Sequence, residues 1–234
     1  MLNLIMIRDY ILKEYGAWSI LAISYATGLL AAGSISADSV LVLFALCFLI
    51  NSKQAYTLWS RKTRPLLSIV VFCCQMLPAA ALIIWIFQPM LMQLLPYAAI
   101  PAAYLALILL AGEHRTITEL AGFWTLTLAS TAACASVGII DPKIYMATAL
   151  FFSAGVFKIK LQLRKTAFEK IRMALYVFFC LAIYIFMELP AAALLPLVDN
   201  LVFSATLYQV KLRTTGWIEV AKGIAFALIF GFLY

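Results

Sequence analysis

Five ionisable residues fall inside or at the edge of long apolar segments, where a charge is expensive to place. They are Glu119, Glu188, Asp199, Glu219 and Lys222. A charged side chain at the centre of a bilayer costs at least about 2.5 to 3.5 kcal/mol, so such residues usually face the interior of a helix bundle or water. These five are therefore the first candidates for binding a ligand or relaying a proton.

Glu219 and Lys222 are three residues apart, which places them on one helical face where they can form an ion pair. The pair by itself needs no ligand, since it neutralises its own charge. Further polar and aromatic residues, however, fall at the same predicted helix ends: Lys13, Tyr15, Trp18, Lys53, Tyr56, Arg115 and Lys158. With Glu119, Asp199, Glu219 and Lys222 they make up the expected ligand-binding set, in a polar cavity that opens to the cytoplasm. The alternative is a belt of Lys, Arg, Trp and Tyr at the level of the lipid headgroups, which needs no site.

The composition decides what kind of protein positions these residues. The chain has 234 residues, of which 66% are hydrophobic and 12% charged, and its mean hydropathy is +1.04. A soluble domain of this size has no way to keep that much apolar surface from water, so the sequence predicts an integral membrane protein. The net charge of +7 is spread between apolar runs and not gathered in a patch with aromatic residues, which argues against nucleic-acid binding.

The apolar runs predict an all-α bundle of nine transmembrane helices. The expected spans are 16–33, 38–52, 66–87, 89–111, 119–140, 144–158, 173–188, 190–209 and 216–234. Nearly all of the 17 Lys and Arg residues fall in alternate gaps between these spans, which puts the N-terminus in the cytoplasm and the C-terminus outside. We expect a single polytopic domain over residues 1–234 in the bacterial cytoplasmic (inner) membrane. Residues 1–15 are expected to form an interfacial helix, and the basic run from Lys158 to Arg172 to follow the inner leaflet.

Several kinds of cofactor are not expected. The single histidine, His114, excludes a haem held between two histidines. The five cysteines lie within apolar segments without C-x-x-C spacing, so neither a metal nor a redox site is expected. We therefore predict no cofactor, and the absence of Walker, H-E-x-x-H and G-x-S-x-G motifs argues against an ATPase, a zinc protease and a serine hydrolase.

Three short motifs carry a resemblance to a known family. They are the stretch from Lys13 to Trp18 (KEYGAW), the stretch FFSAGVFKIK over residues 151–160, and the closing pattern TTGWIEVAKG with Gly216 and Glu219. Together with Glu119 they resemble the YwiC-like family of small bacterial membrane proteins. Tyr15 stands where that family has a histidine, and Asp199 and Asn200 fall near a position where relatives tend to have an arginine. The resemblance implies no assigned molecular function, although some members are encoded near proteins of anaerobic nitrate respiration.

The helix count and the polar cytoplasmic mouth also look like a UbiA-type prenyltransferase bundle. Those enzymes hold magnesium and a pyrophosphate with two aspartate-rich motifs. This chain has four aspartates, Asp9, Asp38, Asp141 and Asp199, and no two of them are close in sequence. Since a magnesium pyrophosphate needs several oxygen ligands, we do not expect an enzyme, and any activity would be that of a divergent prenyltransferase-like transferase.

The preferred function is the binding of an isoprenoid or another lipid with an anionic headgroup, without catalysis. Its expected partners are membrane lipids, including an isoprenoid or quinone-like lipid. Two alternatives stay open at this point. One is an accessory subunit or assembly factor of a respiratory membrane complex of the nitrate-respiration type, for which a closely packed bundle without a cavity is expected. The other is a transporter with Glu119 or Asp199 as a proton relay, which the absence of an internal repeat disfavours.

Overall fold

The computed structural model describes residues 10–62, 65–208 and 210–234, and within them it contains helices and no strands. Nine α-helices follow one another: α1 Tyr15–Ala32, α2 Ala37–Ser60, α3 Pro65–Phe87, α4 Leu91–Ala111, α5 Thr116–Ala135, α6 Pro142–Arg164, α7 Ala167–Phe186, α8 Val198–Thr206 and α9 Leu212–Leu233. Arg8, Arg64 and most of the expected interfacial helix lie outside the described residues. The described end of that segment, residues 10–14, is not helical.

Five stretches of the described chain are long and apolar enough to cross a membrane. They are Tyr15–Ala32, Ala37–Ser60, Pro65–Ala111, Pro142–Arg164 and Leu212–Leu233. The third of them contains α3, a short 3-10 helix (Gln88–Met90) and α4. The chain is therefore a multi-pass membrane protein with an all-helical fold. Nine spanning helices, and the sides on which the two termini lie, stay predictions.

The eighth expected span differs most from expectation. It consists of a 3-10 helix, Ala191–Leu197, followed by the nine-residue α8, and this apolar stretch is shorter than the other spans. Pro190 precedes the 3-10 helix and Pro196 lies inside it. Because a proline has no N–H to donate and its ring crowds the preceding turn, these two residues interrupt a continuous α-helix. The segment thus delivers Asp199 and Asn200 into the bundle from a short helix.

Local sequence signals explain several helix ends. Ser36 accepts a hydrogen bond from the backbone N–H of Ser39, whose side chain bonds back in a capping box at the start of α2. Asp141 caps α6 by accepting from the N–H of Lys143 at 2.8 Å, and Pro142 occupies the first helical position. At the end of α1, Gly33 adopts the left-handed conformation, with φ at +64°.

The core is arranged around α6, which is buried along most of its length. One apolar cluster joins α6 to α7, α9 and the 3-10 helix before α8, and a second fills the space between α1, α2 and α5. Helix α1 approaches α5 closely at Gly28, whose carbonyl accepts a hydrogen bond from the thiol of Cys134 at 3.2 Å. Helices α3 and α4, in contrast, bury few side chains and lie at the edge. The buried charged residues of the bundle, such as Lys158 of α6 and Lys222 of α9, therefore come from its central helices.

The basic run from Lys158 to Arg172 does not form a separate surface helix, and its course along the inner leaflet stays a prediction. Its first half is the end of α6, and the chain then turns at Lys165 into the first turns of α7. Lys158 and Lys160 are buried. Their charges are consequently available to the interior of the bundle.

Candidate functional site

A cavity of about 540 Å³ lies between α1, α2, α4 and α5, with part of α3 in its wall. Its inner wall is aliphatic and aromatic, including Ile20, Leu49, Phe72, Met76, Leu105 and Phe123. Its charged and aromatic polar lining residues lie towards one end of the helices: Glu14, Lys53, Tyr104, Glu113, His114 and Glu119. Cavities of roughly 300 to 1,000 Å³ are typical of small-molecule sites. The volume and the lining of the cavity therefore suit an apolar molecule with one polar end.

The charged residues around the mouth of this cavity are joined in what we call the rim ion pairs. The ammonium of Lys53 lies 2.7 Å from Glu14 and 3.1 Å from Glu113. Two further pairs complete the set: Arg61 with Glu113 at 2.7 Å and Lys160 with Glu119 at 2.8 Å. Among the described residues the rim thus holds three carboxylates and three cations, which balance.

A second group of charges, the buried charge network, lies between α6, α8 and α9. It consists of Lys158, Asp199, Glu219 and Lys222. Lys158 is 1% exposed and its ammonium donates to Asp199 and, at 2.9 Å, to Glu219. Lys222 donates to the same oxygen of Glu219 at 2.8 Å and lies 3.5 Å from Asp199. Two cations and two carboxylates therefore neutralise each other across three helices.

Two neutral groups complete this network. Asn200 accepts a hydrogen bond from Lys222, while its own buried amide nitrogen has no partner among the described residues. Tyr208, in the connection after α8, donates to Asp199 at 2.8 Å. Burial, together with this hydrogen bond to a carboxylate, raises the pKa of the Tyr208 phenol. The phenol is therefore a persistent donor that holds Asp199 in place.

The cavity and the buried charge network are neighbours. A side-chain carbon added at Gly155 of α6 would lie 3.6 Å from the ring of Phe123 and 3.8 Å from the second carboxylate oxygen of Glu219, Oε2. Phe123 lines the cavity. One aromatic ring and one glycine thus lie between the cavity and the network.

The eleven expected site residues divide into four groups. Lys53 and Glu119 line the cavity, and Lys158, Asp199, Glu219 and Lys222 form the buried charge network. Lys13, Tyr15 and Arg115 are exposed. Trp18 donates to the carbonyl of Leu12 at 3.1 Å and Tyr56 to that of Leu105 at 3.2 Å, and neither is part of the cavity lining. The expected single site is therefore two adjacent groups of residues.

Some residues of these two groups were not singled out from the sequence. Tyr104 and Thr118 line the cavity, and Arg61 pairs at its rim. Helical periodicity gives no signal for them, since their place at the cavity depends on how several helices pack together. In the parts of the chain that the structure describes, no group of three or more His, Cys, Asp or Glu side chains is placed to hold a metal ion.

Comparison of the sequence with models of known protein families shows to which family the chain belongs. The family model described as YwiC-like protein matches residues 11–137, which is more than half of the sequence. The chain belongs to the YwiC-like family. In this YwiC-like protein every residue that lines the cavity, from Glu14 to Ala129, falls within the matched range. The buried charge network lies beyond it.

No curated protein and no solved structure matches this YwiC-like protein. The similarity to a UbiA-type bundle consequently stays a prediction.

Proposed function

We propose that this YwiC-like protein binds a lipid, an isoprenoid or an anionic lipid, in the cavity between α1, α2, α4 and α5, and that it does so without catalysis. The observation that carries the proposal is the cavity of about 540 Å³ with an apolar wall and a polar mouth. An apolar space of this size next to a bilayer is more favourably filled by a hydrocarbon chain than by water. A respiratory accessory subunit, for which a closely packed bundle is expected, is supported less by this geometry.

Blocking the mouth of the cavity tests the proposal. Gly16 lines the cavity near the start of α1, and a side chain added there would meet nothing within 4 Å. We expect Gly16→Trp to place an indole in the mouth and to lower the amount of lipid that co-purifies with the protein about tenfold, the equivalent of about 1.4 kcal/mol in affinity. Mass spectrometry of lipids extracted from protein purified from its own membrane measures this.

Gly216→Trp is the matched control. Gly216 also lies in the first turns of a helix, α9, has open space around it and does not line the cavity. We expect its lipid content to equal that of the wild type. Equal lipid content in all three proteins, or an equal loss in the two tryptophan variants, would contradict lipid binding in this cavity.

We also propose that the mouth of the cavity faces the cytoplasm, with the protein in a bacterial cytoplasmic membrane. The rim ion pairs and the paired Arg164, Glu169 and Arg172 all belong to helix ends that the distribution of Lys and Arg assigns to the cytoplasm. Lys143, near the start of α6, belongs to the opposite side.

Cysteine labelling tests this orientation. In a variant whose five native cysteines are replaced by alanine, we expect Lys143→Cys to react with a membrane-impermeant maleimide in intact cells. Lys170→Cys, near the start of α7, should react only after the cells are opened. The reverse pattern would show that the N-terminus is outside.

A further inference from the structure

The charged residues around the cavity determine whether a ligand in it can carry a net charge. Each charged side chain that lines the cavity has an oppositely charged partner within 3.1 Å among the described residues. His114, which also lines the cavity, is exposed, and its backbone carbonyl accepts a hydrogen bond from Lys160 at 3.3 Å. Among the described residues, the carboxylates and ammonium groups that line the cavity therefore leave no unpaired charge for a ligand.

A charged headgroup would have to separate one of these pairs or stay unpaired itself. Lys53 and Lys160 are mostly buried, with 17% and 11% of their side chains exposed. Removing one partner from a buried pair leaves the other charge uncompensated, which costs more than the pair contributes. An uncharged ligand leaves all the rim ion pairs intact, so the balance of charge favours it.

The polar end of the cavity still has hydrogen-bonding capacity. The phenol of Tyr104 lies near the ammonium of Lys53, and none of the described residues accepts the proton of the phenol. Tyr104 is half-buried and lines the cavity beside Gly122. Polar groups that line a cavity are normally paired, so an oxygen of the ligand is the missing acceptor for the proton of the Tyr104 phenol.

We propose that the cavity binds an uncharged isoprenoid with a terminal oxygen, a prenyl alcohol or a prenylated quinone, and that Tyr104 donates a hydrogen bond to this oxygen. The proposal rests on the proposed function and narrows it from lipids in general to uncharged ones. The apolar wall of Ile20, Leu49 and Leu105 takes the isoprenoid chain, while the oxygen lies at the rim.

Three probes with the same prenyl chain test this proposal: farnesol, a farnesylated benzoquinone and farnesyl diphosphate. Binding is measured with purified, delipidated protein in a neutral detergent. We expect at least one of the two uncharged probes to bind about tenfold more tightly than the diphosphate. The stronger of the two uncharged probes identifies the ligand as an alcohol or a quinone. Diphosphate binding as tight as that of the uncharged probes would overturn the proposal.

Tyr104→Phe tests the hydrogen bond. It removes only the phenol oxygen, and Lys53 keeps both of its carboxylates. We expect the affinity for the stronger uncharged probe to fall about three- to tenfold, as for one net hydrogen bond. The melting temperature without ligand should stay unchanged, which a purely structural role would not predict.

Tyr56→Phe is the control, because Tyr56 already donates to Leu105 and does not line the cavity. It should bind like the wild type, and an equal loss of affinity in both variants would contradict a specific role for Tyr104. If neither uncharged probe binds while Gly16→Trp still loses its co-purified lipid, lipid binding stands and the uncharged isoprenoid is excluded.

Discussion

Lys158→Met is expected to leave little folded protein after extraction in mild detergent. The variant keeps the length of the side chain but removes the cation that holds Asp199 and Glu219. Breaking a buried pair by removing one partner typically costs about 3 to 5 kcal/mol. We expect roughly 3 kcal/mol, the lower end, because the two carboxylates are 31% and 27% exposed and Lys222 remains near both.

The yield of monodisperse protein by size-exclusion chromatography and its melting temperature measure this effect. The double variant Lys158→Met with Asp199→Asn restores the balance of charge, since Glu219 and Lys222 then neutralise each other. It should recover most of the lost stability. Lys211→Met is the control, because Lys211 is exposed at the start of α9 and should tolerate the same change. A double variant no more stable than Lys158→Met would refute a role for charge balance.

Gly28→Ala is expected to destabilise the packing of α1 against α5, although it adds a single methyl group. That methyl would overlap the backbone carbonyl of Ser130 and lie 2.8 Å from the side chain of Ala133. Because a helix backbone cannot move as a flexible side chain can, the two helices would have to separate. Overpacking of this kind typically costs about 1 to 3 kcal/mol.

Gly16→Ala is the matched control in the same helix. It has no atom within 4 Å to clash with, and replacing a helical glycine by alanine favours the helix by up to about 1 kcal/mol. In thermal unfolding measured in detergent, Gly28→Ala should therefore melt at a lower temperature than the wild type. Gly16→Ala should melt at the same temperature as the wild type or higher. Equal melting temperatures for the two alanine variants would show that α1 and α5 are not in close contact at Gly28.

Much of the helical pattern follows from the sequence alone. Eight of the nine expected segments overlap an α-helix of at least 18 residues. Hydrophobic length locates such helices well, because a long apolar run has no other stable form in a bilayer. The segment with Pro190 and Pro196 does not form one long α-helix. Hydropathy misses this, because it measures how apolar a residue is and not whether its backbone can donate a helical hydrogen bond. Helix α6 continues to Arg164, past the expected end at 158, because the charges of Lys158 and Lys160 are paired inside the bundle.

The candidate site was only partly predictable. The pairing of Glu219 with Lys222 follows from their spacing within one helix, and the structure contains it at 2.8 Å. Lys158 and Asp199 join this pair from two other helices, and their contact depends on how α6 and α8 pack. Tyr104 gave no signal, because a single tyrosine in an apolar helix has the same pattern whether it faces lipid or a cavity. Contacts within one helix can be predicted from the spacing of residues in the sequence, whereas contacts between helices can be predicted only when the fold is known.

The balance of charge inside the bundle has a consequence for the response to salt. The rim ion pairs and the buried charge network contain five acidic and five basic side chains. The whole net charge of +7 is therefore carried by residues outside these two groups. Salt screens exposed charges over roughly 10 Å at 0.1 M but acts much less on buried pairs. Raising the ionic strength will accordingly screen the surplus positive charge at the surface of this protein while acting much less on the Lys158 and Lys222 pairs of the buried charge network.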